Sequence, residues 1–141
     1  MSALAQAAVP AYVNIAPIVP ALTDHEIEAI AEQAGLHGAR GISAIPLRLP
    51  HEVAPLFEAW LAQHFPDRAG KVMAIVRSLR AGKANDPSFH GRMKGSGPWA
   101  ELLATRMMLA RKRHGFAKAR IDVRSDLFTP PAIPGQQLSL F

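Results

Sequence analysis

Residues 11–49, AYVNIAPIVPALTDHEIEAIAEQAGLHGARGISAIPLRL, decide the fold. Tyr12, Val13, Ile15, Ile18 and Val19 form a short apolar run bounded by Pro10 and Pro20 and interrupted by Pro17. A run of that length between prolines reads as one buried strand over 11–19. Thr23-Asp24-His25-Glu26 then fits a capping box, in which the Thr23 hydroxyl accepts the N3 amide and Glu26 reaches back. Ile27, Ile30, Ala31 and Ala34 keep helical spacing, and Gly35 is a suitable stop. Residues 42–49 predict a second strand, weakened in its middle by Pro46. Strand–helix–strand is the repeating unit of a parallel α/β sheet. Two parallel strands buried on both faces need neighbours and covering helices. The unit is therefore expected to complete its sheet with further chain, or with another copy of itself.

Outward from this unit the pattern becomes helical. Pro50 opens a segment through His64 with Val53, Leu56, Phe57, Trp60 and Leu61 on one face. Pro66-Asp67 starts the next helix, where Val72, Ile75, Val76 and Leu79 make an apolar stripe with Arg77 opposite. Residues 82–97 read as a long polar loop rich in Gly and cations. Pro98 suits the first turn of a third helix running to His114. Its apolar arc is Trp99, Leu102, Leu103 and Ala110, with Arg106 and Arg113 inside the same arc. The expected organisation is a strand–helix–strand segment over 1–50, a basic helical extension over 51–128 and a flexible Pro/Gly tail over 129–141.

Composition narrows the function classes. The chain has 141 residues, 49% hydrophobic and 19% charged, a balance too apolar for a wholly disordered polymer. No stretch of about 18 uninterrupted apolar residues occurs, so no membrane span is expected. Residues 1–10 carry no basic n-region of an export signal, which points to the cytoplasm. There is no cysteine, which excludes disulfides, a thiolate nucleophile and any thiolate-ligated zinc or iron–sulfur site held by this chain.

The net charge of +5 hides strong segregation. Residues 1–67 hold two cations against seven carboxylates, whereas residues 68–120 hold thirteen against two. Such a basic block either meets a polyanion, most often nucleic acid, or forms a solvated helix surface. On the first reading the contacts come from Arg68, Lys71, Arg77, Arg80, Arg92, Lys94, Arg111, Lys112 and Arg113. The loop Gly91-Arg92-Met93-Lys94-Gly95-Ser96-Gly97, ahead of a helix start, could bind an anion through its amides or be a plain surface loop. It lacks the order of a Walker loop. Arg48, at the end of a strand, either meets a cofactor or pairs with Glu52; Arg106 either snorkels, pairs with Glu101 or Asp122, or faces a phosphate. The six histidines (25, 37, 51, 64, 90 and 114) form no HxxxH pair, so no metal site is expected.

The runs NIAPIVPALTDHEIEAIAEQAG, PLRLPHEVAPLF and HFPDRAGKVMAIVRSLRAGK, with GRMKGSGPWAELL, carry a resemblance that spans essentially the whole chain. They resemble the C-terminal half of bacterial radical SAM proteins related to spore photoproduct lyase, the DNA repair photolyase group. The resemblance implies the end of a partial (β/α) barrel, a [4Fe-4S] cluster on a CxxxCxxC motif, and S-adenosylmethionine across the strand ends. This sequence departs from that pattern in lacking every cysteine, in having Ala21 where Gly is common, and in having Pro46 where an aliphatic residue is usual. Met1–Val9 resembles the end of an interior barrel helix. The implied protein is thus a fragment, a truncated product or one part of a split protein, inactive alone and binding no cofactor by itself.

Gln137-Leu138-Ser139-Leu140-Phe141 is similar to the pentapeptide by which bacterial polymerases and repair proteins dock on the sliding clamp. Gln137 can hydrogen-bond, and Leu140 and Phe141 can fill an apolar pocket, from a Pro/Gly tether; alternatively the terminus folds back on the body. The expected partners are DNA, a sliding clamp and the missing N-terminal half or a second copy. The rival expectation is a stand-alone, non-enzymatic helical module that holds DNA or RNA, and the third an inactive gene remnant.

Overall fold

The structure is a computed structural model that describes residues 1–85, 91, 93–116 and 126–129. Its elements are helix α1 (Ser2–Gln6), strand β1 (Tyr12–Ile18), helix α2 (Ile27–Leu36), strand β2 (Gly41–Pro46), and helices α3 (Val53–His64), α4 (Pro66–Ser78) and α5 (Pro98–Arg113). The architecture is mixed α/β, with two parallel strands and five helices among the described residues.

β1 and β2 pair in parallel, Tyr12 opposite Gly41 and Ile15 opposite Ala44, with the register shifting before Ile18 meets Pro46. The shift spans Pro17, which has no amide to give the ladder. Pro46 likewise ends β2 three residues short of the expected boundary, although the Leu47 amide still donates to the Ile18 carbonyl at 2.9 Å. The capping box is not formed. Thr23 sits in helical backbone (φ −114°, ψ −5°) rather than the extended backbone an N-cap needs, and its Oγ1 accepts the Val19 amide at 2.9 Å. Asp24–Glu26 winds as a single 3-10 turn, and α2 begins only at Ile27.

α2 also runs past Gly35. Its stop is Gly38, at φ +80°, where the Gly38 amide donates to Gly35 and the Ala39 amide to Ala34. This is the paired-bond terminator that favours glycine in left-handed backbone. A Cβ there would lie 2.6 Å from the Ala5 Cβ, so glycine is also what lets α1 approach.

Two separate cores form. In the first, α2 and α5 cover one face of the strand pair and bury Ile27, Ala31, Ile42, Leu103, Met107 and Phe116. Met107 takes the place expected of Leu102, which is exposed. The opposite sheet face presents Tyr12, Asn14, Ala16 and Ser43 to solvent. In the second core, α3 and α4 pack Leu61, Val72, Met73 and Val76 against Leu47 and Leu49, with Val19, Ala21 and Leu22 alongside. The α3–α4 hairpin therefore sits where the chain leaves the C-terminal ends of both strands. Only part of the apolar face expected for α3 is used: Leu61 is fully buried and Phe57 half-buried, while Val53, Leu56 and Trp60 remain exposed.

Candidate nucleic-acid interface

The basic block begins on α4. Val72, Met73 and Val76 turn inward, which leaves Arg68 and Lys71 on the outer side. There they line a cavity of about 510 Å³ with Ala21, Asp24 and His25, on the chain leaving β1. His25 also lines a neighbouring groove of about 480 Å³ between α2 and α5, together with Glu28, Glu32, Arg106, Arg113 and His114. Arg113 and the exposed Lys112 belong to the last turn of α5, where the helix dipole favours positive charge. Cations from the start of α4 and the end of α5 thus meet around His25. Lys94 stands apart with Arg111 in a third cavity of about 570 Å³, beside Gly95–Gly97 and the first turns of α5.

Other members of the block are engaged elsewhere. Arg77 pairs with Glu58 on α3 at 2.7 Å. Arg80 is 2% exposed and lies in the interior, its Nη atoms donating to the carbonyls of Gly91 (3.1 Å) and Leu47 (3.5 Å). Arg111 donates from Nε and Nη2 to the Ile42 carbonyl at 3.1 and 3.0 Å, fastening α5 to β2. Arg92 and the pentapeptide Gln137–Phe141 lie outside the described residues.

Arg106 pairs with Glu28 rather than Glu101, and Asp122, the other carboxylate expected for it, lies outside the described residues. Its Nε donates to Glu28 Oε1 at 2.7 Å, and its Nη2 to Glu28 Oε2 at 2.5 Å and to the Asp24 carbonyl at 2.6 Å. The Asp24 carboxylate lies 3.8 Å from Nη1. The hydrogen bonds from Arg106 hold the Glu28 carboxyl below its ordinary range, and those same bonds raise the Arg106 pKa. Arg48 is half-buried; its Nη1 approaches Met93 Sδ at 3.9 Å rather than Glu52, and its Nε is buried with no hydrogen-bond partner among the described residues.

The glycine loop is a clasp. The amides of Lys94 and Gly95 donate to the Gly91 carbonyl, and that of Ser96 to Leu79. A Cβ at Gly95, where φ is +73°, would come within 2.9 Å of Leu79 Cδ2. Three amides expected to face an anion therefore serve the chain's own carbonyls, and Lys94 is the exposed cation among the loop's described residues. No group of three potential metal ligands occurs among the described residues. The donor set does not fit a thiolate-ligated cluster, because the sequence contains no cysteine.

Trp60, expected on the apolar face of the 50–64 segment, is exposed and clusters with Phe57, His64 and Phe65. No family model, curated protein or solved structure matches this chain.

Proposed function

We propose that this chain binds nucleic acid through the cations gathered around His25, as the C-terminal segment of a radical SAM, photolyase-like DNA repair protein. The observation that carries the proposal is the convergence at His25 of Arg68 and Lys71 from α4 with Arg113 from α5, next in sequence to the exposed Lys112. None of these four is paired with a carboxylate among the described residues. The surface suits phosphate contacts, which position a nucleic acid without reading its sequence. The sheet face that no described helix covers, with Asn14 and Ser43 joined at 2.9 Å, supports a barrel segment over a stand-alone module. In that setting the cluster and S-adenosylmethionine belong to cysteine-bearing strands outside this sequence, and the 137–141 peptide docks on a sliding clamp.

The test is fluorescence anisotropy of labelled DNA over a range of salt concentrations. Four phosphate contacts predict a log–log salt slope of about −3 to −4 on duplex DNA. Reversing Arg68, Lys71, Lys112 and Arg113 to glutamate should remove most binding. Affinity that ignores salt, or survives the reversal, refutes the interface.

A further inference from the structure

The corner between α3 and α4 carries an aromatic cluster of which Phe57 packs against the second core while Trp60 and Phe65 stand outside it. Trp60 is 42% exposed and Phe65 37%. Phe57 stacks on Trp60 with ring centroids 5.6 Å apart and planes 22° from parallel. Trp60 also meets Phe65 at 5.3 Å and His64 at 5.4 Å, both rings tilted to the indole plane. Neighbouring rings hold the indole in place, so its geometry is set before anything binds, and a rigid aromatic loses little entropy on docking.

Charge identifies the occupant. Phe65 is the N-cap of α4, and its carbonyl accepts the Arg68 amide at 3.0 Å, so Arg68 follows one turn from the ring and Lys71 one turn further. The carboxylate nearest on α3, Glu58, is already paired with Arg77, and Asp67 lies in the first turn of α4, where the helix dipole accommodates it. Exposed rings followed by cations along one helix suit a ligand with π-faces and phosphates together. A duplex hides its base faces within its own stack, whereas an unpaired strand exposes them.

We infer that Trp60 and Phe65 form a stacking platform for the bases of a single-stranded nucleic acid whose phosphates reach Arg68 and Lys71. This rests on the nucleic-acid reading above and adds to it the strandedness of the ligand and a base-contacting surface.

The experiment titrates the full chain, in a Trp99→Phe background so that Trp60 alone fluoresces, with oligothymidylate and with an abasic oligomer of equal length and charge, both end-labelled so that anisotropy gives the affinity of every variant. Oligothymidylate should quench Trp60 fluorescence and bind roughly ten-fold more tightly than the abasic oligomer. Trp60→Leu, which keeps an apolar side chain on an exposed site, should erase that preference while leaving the salt-dependent binding of the abasic oligomer intact, with circular dichroism confirming the fold. Equal affinity of the parent for both oligomers, or a preference that survives Trp60→Leu, overturns the platform but not the phosphate-binding reading. Binding of neither oligomer at low salt overturns both. Quenching that tracks self-association without oligomer assigns the aromatic cluster to a second copy and overturns the platform.

Discussion

Replacing Arg106 by Met tests the linkage between the start of α2 and the middle of α5. The guanidinium makes a two-pronged contact with Glu28 and a third bond to the Asp24 carbonyl. Hydrogen bonds to charged groups contribute about 1.5–3 kcal/mol when protected from water. Here the Arg106 side chain is 23% exposed but that of Glu28 is 52% exposed, so the pair is discounted toward the surface value of under about 1 kcal/mol. A double-mutant cycle of Arg106→Met and Glu28→Gln should therefore give a coupling of about 1 kcal/mol. Arg106→Met alone should cost about 2 kcal/mol, because it also leaves the part-buried Asp24 carbonyl without its donor. The assay is urea unfolding of all four proteins at neutral pH, with the cycle repeated in acid. The folded state holds the Glu28 carboxyl below its ordinary value, so its contribution is full above about pH 4.3 and is lost as pH falls through the depressed pKa. A neutral-pH coupling indistinguishable from zero, or one that grows on acidification, refutes the reasoning.

Gly38→Ala should destabilise the fold by about 1–2 kcal/mol in urea melts, since it combines strained backbone at φ +80° with a clash against Ala5; an unchanged midpoint counts against the packing of α1. Leu61→Ala empties a fully buried position in the second core and should cost about 2–5 kcal/mol by the same assay, whereas Leu56→Ala on the exposed side of α3 should stay within about 0.5 kcal/mol. A synthetic 129–141 peptide should bind a purified bacterial sliding clamp with an affinity of roughly micromolar order, and a Leu140→Ala, Phe141→Ala peptide should not; equal affinities in a fluorescence titration eliminate the clamp reading.

The strand–helix–strand unit was legible because apolar runs bounded by prolines and a 3.6-residue period are local signals. Helix starts at Pro66 and Pro98 were legible for the same reason. Thr23 misled because a side-chain oxygen near a helix start has two possible donors, and the turn after Val19 brought that residue's amide closer. The partner of Arg106 lies 78 residues away, a distance over which only the packing of α5 on α2 decides. Arg80 and Arg111 were counted with the surface because a cation's burial depends on carbonyls gathered from distant segments, Leu47 and Ile42 among them. Trp60 failed in the opposite sense: hydrophobicity marks a residue as able to be buried, and the neighbours that would bury it are not encoded in α3 itself.

The division into two cores implies an uneven landscape of motion. Among the described residues no buried side chain belongs to both, and what joins them there is chiefly the pair of strand exits at Val19–Leu22 and Leu47–Leu49. Adding the grip of Arg80 on Leu47 and Gly91 gives one further tie between the second core and the loop that leads into α5. A structure joined so narrowly opens in parts before it opens as a whole. Amide exchange would resolve into two populations, with α3 and α4 forming one cooperative unit and α2, α5 and the strands another. Transient release of the hairpin would bare the C-terminal ends of both strands while leaving the sheet itself protected.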